Sequence, residues 1–318
     1  MSIALKLSEL SKTFPVGKRL FGPPRAFVRA VQPVSLAVQT GETLGIVGES
    51  GCGKSTLARM LVGLLPPSTG QIEIEGEALD TADPAEFGKR IQYVFQDPIS
   101  SLNPRKTIGQ IMQVPLRKLH GMDRKTAGVR IAEIFAAVNL REEFLDRYPH
   151  EFSGGQAQRI GIARALAAKA RILILDEPVS ALDVSVQAQV LNLLADLKAQ
   201  LGLTYLFISH DLAVVEAVSD RVVVLYFGSV VEIGPAERIF ANPRHPYTRL
   251  LAQSAPVVGR PLTAPEGKET ELPDPLNPPK GCAFCARCPN AIARCSSEIP
   301  PLAPDRDGRE IACFNPVA

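Results

Sequence analysis

Gly48-Glu49-Ser50-Gly51-Cys52-Gly53-Lys54-Ser55-Thr56 follows the apolar run Leu44-Gly45-Ile46-Val47 and opens into Leu57-Ala58-Arg59-Met60-Leu61. A strand, a glycine-rich loop and a helix start in that order gather several backbone N–H groups and a helix N-terminus around one point, which is how a triphosphate is held. Each residue type has a task at its spacing. Gly48, Gly51 and Gly53 let the backbone take positive φ and approach phosphate oxygens, Lys54 brings a point charge to the β and γ phosphates, and Ser55 offers its hydroxyl to Mg²⁺. The stretch points to a nucleotide-binding α/β fold.

Working outward, the chain is 318 residues long, enough for one large α/β domain and a smaller appendage. A formal charge of +2, from 35 Lys and Arg against 33 Asp and Glu, provides no broad basic field, so nucleic acid is not the expected partner. No apolar run approaches the ~20 residues that span a bilayer, and residues 1–10 lack the charged head and apolar core of a secretion signal. The expectation is a soluble, cytoplasmic chain. Of the six cysteines, Cys52 lies in the glycine-rich loop and the others lie beyond residue 280, which excludes a disulfide framework running through the fold and suggests metal binding in a reducing compartment.

Between residue 3 and about 39 apolar and polar residues alternate around an interruption at 17–24, and Gln71-Ile72-Glu73-Ile74-Glu75 resumes the pattern. This predicts antiparallel strands. Ile91-Gln92-Tyr93-Val94-Phe95, Ile172-Leu173-Ile174-Leu175, Tyr205-Leu206-Phe207-Ile208 and Val222-Val223-Val224-Leu225 are short apolar runs, predicted as parallel strands buried on both faces. From about residue 108 to 168 no such run occurs. Apolar spacing at Ile131, Ile134, Phe135, Val138 and Leu140 predicts helix throughout, an inserted helical subdomain within about 97–168. Beyond residue 255 proline becomes dense, which divides the chain into a domain over 1–254, a semi-rigid linker over 255–281 and a cysteine-bearing tail over 282–318.

Two further segments carry chemistry. Arg171-Ile172-Leu173-Ile174-Leu175-Asp176-Glu177-Pro178 is a buried strand ending in two carboxylates, at the end of a parallel sheet where ligands bind. Asp176 is placed to hold Mg²⁺ and Glu177 to polarise a water for attack on a γ-phosphate. Phe152-Ser153-Gly154-Gly155-Gln156 precedes a helix expected to begin near Ala157. It is either a second anion-binding helix N-terminus or an ordinary serine-glycine cap, and the residues alone leave both readings open.

Taken in order, the 48–55 loop, Ser153-Gly154-Gly155-Gln156, the strand ending in Asp176-Glu177, Ser180-Ala181-Leu182-Asp183 and Ser209-His210-Asp211 resemble the ATP-binding cassette ATPases. The resemblance implies a P-loop NTPase core, a RecA-like and mostly parallel sheet with an antiparallel β subdomain. It also implies two cassettes meeting head to tail, the serine-glycine signature of one closing on the ATP held by the loop of the other. On that pattern Glu177 is the catalytic carboxylate, His210 the switch histidine at the γ-phosphate, Gln96 the residue sensing Mg²⁺ and the attacking water, and Asp183 part of the dimer seam. Ser50, Cys52 and Thr56 belong to the phosphate loop, and Phe14 matches the aromatic that stacks on adenine or else is a plain core phenylalanine.

Gln96-Asp97-Pro98-Ile99-Ser100-Ser101-Leu102-Asn103-Pro104-Arg105 and Asn242-Pro243-Arg244-His245-Pro246-Tyr247-Thr248-Arg249-Leu250-Leu251 narrow the resemblance to the ATPase subunits of dipeptide/oligopeptide importers, nearer the second of their two paralogous subunits. This implies a peripheral protein on the cytoplasmic face of the inner membrane, bound to two integral membrane permease subunits. It further implies a paralogous ATPase, or a second copy of this chain, and indirectly a solute-binding protein. The competing class is a soluble cassette ATPase acting on DNA or ribosomes, whose members usually carry tandem cassettes or long coiled-coil insertions; neither occurs here. In the tail, Cys282, Cys288, Cys295 and Cys313 match positions associated with a [4Fe–4S] cluster in the importer subunits, while Cys285 stands where histidine is usual. Zn²⁺ and free thiols remain alternatives.

Overall fold

The computed structural model describes residues 2–17, 25–79, 83–254 and 272–317. The expected interruption at 17–24 beyond Gly17, and the linker's residues 255–271, lie outside them. The chain begins with β1 (Ile3–Val16) and β2 (Ala26–Gln39), paired antiparallel, followed by β3 (Thr43–Val47), α1 (Lys54–Leu61), β4 (Thr69–Ile74), β5 (Glu77–Ala78), α2 (Pro84–Arg90) and β6 (Ile91–Val94). Then come α3 (Ile108–His120), α4 (Arg124–Ala137), α5 (Gly154–Ala167), β7 (Ile172–Asp176), α6 (Val184–Leu201), β8 (Thr204–Ile208) and α7 (Leu212–Val218). The last elements are β9 (Arg221–Tyr226), β10 (Ser229–Pro235), α8 (Ala236–Ala241), α9 (Pro246–Ser254), β11 (Ala303–Pro304) and β12 (Glu310–Ile311).

One sheet has the order β2-β1-β4-β5 and is antiparallel; the other has the order β11-β12-β10-β9-β3-β8-β7-β6. Strands β9, β3, β8, β7 and β6 run parallel, as their continuous apolar runs predict. Period-two alternation within those runs feeds two separate cores. Leu173, Leu175, Tyr205, Phe207, Val222 and Val224 pack toward the helices α3 to α6, whereas Ile172, Ile174, Leu206, Ile208, Val223 and Leu225 pack toward α1 and the antiparallel sheet. Because the strands are parallel, the loops leaving the carboxyl ends of β3, β6, β7 and β8 emerge on one edge.

The helical insertion is not helical throughout. Between α4 and α5 the chain makes only 3₁₀ turns at Glu142–Asp146 and Pro149–Glu151, because Asn139 adopts φ 56° just past α4 and Pro149 has no N–H to continue a helix. Helix α5 starts at Gly154 rather than near Ala157, with Ser153 as its N-cap and Gln156 returning its side-chain oxygen to the Ser153 N–H at 3.1 Å.

The cysteine-bearing tail is built into the large sheet. β12 pairs with β10 through Glu232↔Ile311 and Ile233↔Glu310, and buried Arg309 reaches buried Glu232 at 3.6 Å while donating to the Asn242 carbonyl at 2.6 Å. Arg244 Nε donates to Asp305 at 3.0 Å. Charges this deep persist only when paired and hydrogen-bonded, so the tail's seat is specified by these contacts.

Candidate active site

The loop after β3 is shaped by its glycines. Gly48 has φ 152°, and a Cβ there would stand 2.2 Å from the Leu225 carbonyl oxygen; Gly53 has φ 105°, and its Cβ would stand 2.4 Å from the Ala30 carbonyl oxygen. No side chain but hydrogen fits either place. Gly53 is the N-cap of α1, no side chain caps that helix, and its first turn carries no acidic residue, so the orphan N–H groups of Lys54, Ser55 and Thr56 are left available to an anion. Lys54 is 8% exposed; its Nζ donates to the Gly48 carbonyl at 2.6 Å and the Glu49 carbonyl at 2.9 Å, arching over the loop. Burial raises the Cys52 thiol above its ordinary range, so it packs as a neutral side chain. Ser50, Gly51 and Ser55 are exposed. These features fit a triphosphate with Mg²⁺.

The neighbouring strand ends converge on Glu177. Its φ of 49° places it in the left-handed region, and its N–H donates to the Ile208 carbonyl at 2.8 Å, tying the ends of β7 and β8 together. A glutamate held in that conformation is strained by about 1–3 kcal/mol, a cost that recurs at functional sites. Gln96 Nε2 donates to Glu177 Oε2 at 2.8 Å, and His210 Nδ1 lies 3.0 Å from Glu177 Oε1. Thus Gln96, Glu177 and His210, predicted from three separate segments, meet at one carboxylate. Beside it, the Tyr93 hydroxyl donates to Asp176 Oδ2, and burial, then that bond, holds the Tyr93 phenol far above its ordinary pKa. Tyr93 therefore acts as a fixed donor that orients Asp176.

Ser153 and Gly154 are exposed at the start of α5. A Cβ at Gly155 would stand 2.5 Å from Val186 Cγ1, so the turn nests on the start of α6. Asp183 caps α6 by position only, its side chain exposed and making no capping bond. Ser153, Gly154 and Asp183 are thus exposed at the starts of α5 and α6. Phe14 pairs with Val28 on the β1–β2 hairpin, half-buried, with Lys12 Nζ 5.3 Å from its ring centroid.

Sequence reasoning missed what stands behind the phosphate loop. The Tyr247 hydroxyl accepts from the Glu49 N–H at 2.8 Å, and Arg287 clasps the Glu49 carboxylate with two bonds of 2.9 and 3.0 Å. The guanidinium lies over Tyr226 and Phe284, whose rings meet edge to face at 5.2 Å. No local pattern links Glu49 to an arginine 238 residues away.

The tail cysteines are free thiols. Burial, and after it the neighbouring thiols, push Cys282 and Cys288 up to about 11, and Cys313 is raised for the same reasons. Among the described residues no group of three or more His, Cys, Asp or Glu could hold a metal ion. The expectation of a [4Fe–4S] or Zn²⁺ centre on Cys282, Cys288, Cys295 and Cys313 is not supported, since the thiols as placed do not form a ligand set.

Comparison with known proteins adds the following. The family described as ABC transporter matches residues 31–180, and the one described as oligopeptide/dipeptide transporter, C-terminal region, matches residues 231–295. A probable peptide ABC transporter ATP-binding protein of Sinorhizobium fredii is 50% identical over 97% of this chain and 89% of its own length. The dipeptide transport ATP-binding protein DppF of Haemophilus influenzae is 49% identical over 96% of this chain and 94% of its own. Among solved structures, the dimeric ATP-binding cassette MJ0796, in a post-hydrolysis state with ADP and Pi, aligns at TM-score 0.64 and 30% identity, covering 73% of this chain and 98% of that one.

Proposed function

The chain belongs to the ATP-binding cassette transporter family, and from that premise we propose that it works as the ATP-hydrolysing subunit of an importer of dipeptides or oligopeptides. Nothing in the matched families points to DNA or ribosomes. The observation that carries the mechanism is the Glu177 carboxylate, held between Gln96 Nε2 and His210 Nδ1 at the strand edge that also bears the phosphate loop.

The N–H groups of the loop from Gly48 to Thr56 and the Lys54 ammonium bind the triphosphate. Ser55, Asp176 and Gln96 would hold Mg²⁺, whose charge offsets that of the β and γ phosphate oxygens. Glu177 orients and polarises the attacking water, and His210, released from Glu177, donates to the γ-phosphate. The Ser153-Gly154-Gly155-Gln156 turn, exposed at Ser153 and Gly154, serves the nucleotide of a second cassette, with Asp183 at the seam; the dimeric state of the solved relative supports this arrangement. Phe14 meets adenine. Hydrolysis separates the two cassettes again and moves the attached membrane subunits.

No described helix is long and apolar enough to cross a membrane, so the pore belongs to partners: two permease subunits, with a paralogous ATPase or a second copy of this chain completing the pair. The protein sits peripherally on the cytoplasmic face of the membrane. Residues 1–254 form the nucleotide-binding domain, 97–168 its helical subdomain, 255–281 the linker and 282–318 the tail.

Glu177→Gln retains ATP binding and loses hydrolysis by about 10²-fold or more, since the cradle stays while the acting carboxylate goes. Lys54→Ala weakens ATP binding itself. Titration with Mg-ATP and phosphate release on the full chain separate the two; unchanged turnover in Glu177→Gln removes its assigned role.

A further inference from the structure

The phosphate loop contains one acidic residue, Glu49, in a segment built to attract phosphate. A bare carboxylate there would repel the triphosphate. Among the described residues its only guanidinium partner comes from the tail: Arg287 Nη1 and Nη2 bind Glu49 Oε2 and Oε1 at 2.9 and 3.0 Å, a fork that matches a carboxylate edge for edge. The pair is largely shielded, with side chains 17% and 27% exposed. Arg287 is itself held from behind. Its N–H donates to the Phe284 carbonyl at 3.0 Å, the Cys288 N–H returns to Cys285 at 3.3 Å, and Phe284 is buried against Tyr226, Tyr247 and His245.

The contacts also fix the loop backbone. Tyr247 takes the Glu49 N–H while the carbonyl of the same peptide, that of Gly48, receives Lys54 Nζ. One tail residue and one residue of α9 thereby set the charge and the peptide orientation at the base of the lysine.

We propose that Arg287 is a positioning residue of the nucleotide site, acting through Glu49 to cancel its charge and to hold the phosphate loop in its receiving shape, so that the docked tail sets ATP affinity. This rests on the reading of the loop as the ATP site. Uncovering one carboxylate beside a triphosphate costs on the order of 1–2 kcal/mol at the effective dielectric of a protein surface, about tenfold in affinity.

The test is Mg-ATP titration and steady-state hydrolysis on the full chain. Arg287→Ala is expected to raise Kd and KM for ATP about tenfold with kcat within about twofold at saturation, a loss of ground-state binding alone. Arg287→Lys, which keeps the charge and gives up the fork, raises them about threefold and reads the same quantity if the alanine variant does not fold. The deciding readout is suppression: in Arg287→Ala/Glu49→Gln, affinity returns to within about twofold of Glu49→Gln alone, because no charge remains to cancel. An arginine that merely props the tail would leave the double variant as weak as Arg287→Ala, and that result, or unchanged affinity in Arg287→Ala and Arg287→Lys, overturns the proposal. Lys54→Ala run alongside separates the two levels: if it binds ATP as well as the parent, the reading of the loop fails; if it alone loses binding, only the role of Arg287 fails.

Discussion

Lowering the pH from 7.5 to 5.0 should destabilise this protein through one buried side chain, His245. It is 1% exposed, its Nδ1 accepts the Tyr247 N–H at 3.0 Å, and its own backbone N–H donates to buried Glu232 at 2.9 Å. A second proton on the ring has to enter at Nδ1, against that N–H and without water. Burial accordingly lowers its pKa from 6.5 to about 3. In the unfolded chain the ring titrates near 6.5, so below that pH the unfolded state binds a proton the folded state refuses. The stability contributed by neutral His245 is intact above 6.5 and drains away as pH falls toward 3. At pH 5.0 the loss is about 2 kcal/mol, some 1.5 pH units at ~1.36 kcal/mol each. Glu232 opposes it, since its carboxyl is raised by burial and gains from protonation as pH falls. The comparison is therefore with His245→Gln, which keeps Glu232 and lacks the imidazole. With no tryptophan in the chain, urea unfolding is followed by tyrosine fluorescence or circular dichroism. The parent should lose about 2 kcal/mol more than the variant between pH 7.5 and 5.0; parallel losses in the two proteins would refute the buried neutral imidazole.

Gly53→Ala combines φ 105° with a Cβ 2.4 Å from the Ala30 carbonyl oxygen, and is expected to cost about 2–4 kcal/mol in urea unfolding and to abolish tight ATP binding. At Gly51 a Cβ meets nothing within 4 Å, so Gly51→Ala bears only the left-handed backbone cost of about 1–2 kcal/mol. Phe284→Ala empties a site 2% exposed between Tyr226, Tyr247 and His245 and should cost about 3–5 kcal/mol, read as faster proteolysis of the tail in the full chain.

The core of the fold is legible in the sequence because parallel strands buried on both faces must be apolar without interruption. The runs at 91–95, 172–175, 205–208 and 222–225 each carry one strand of the large sheet. The site is legible for a related reason. A phosphate loop draws its contacts from consecutive residues, and the parallel sheet delivers Gln96, Glu177 and His210 to one edge from the ends of neighbouring strands. What stays hidden depends on residues far apart in the chain with no periodicity to announce them. The break between α4 and α5 turns on Asn139 and Pro149 within an otherwise helical apolar spacing.

The tail shows the same limit more sharply. The resemblance makes Cys282, Cys288, Cys295 and Cys313 a candidate ligand set, yet a match of positions says nothing of what stands between the thiols and the core. In the fold, that segment is occupied in sending Phe284 and Arg287 to the back of the phosphate loop, and it is clamped to the sheet by Arg309 on Glu232 and Arg244 on Asp305. Four charged groups taken largely out of water for the sake of seating a tail amount to a cost that hydrophobic packing would avoid. A tail anchored so specifically, and touching the loop at its one acidic residue, is best understood as part of the nucleotide site.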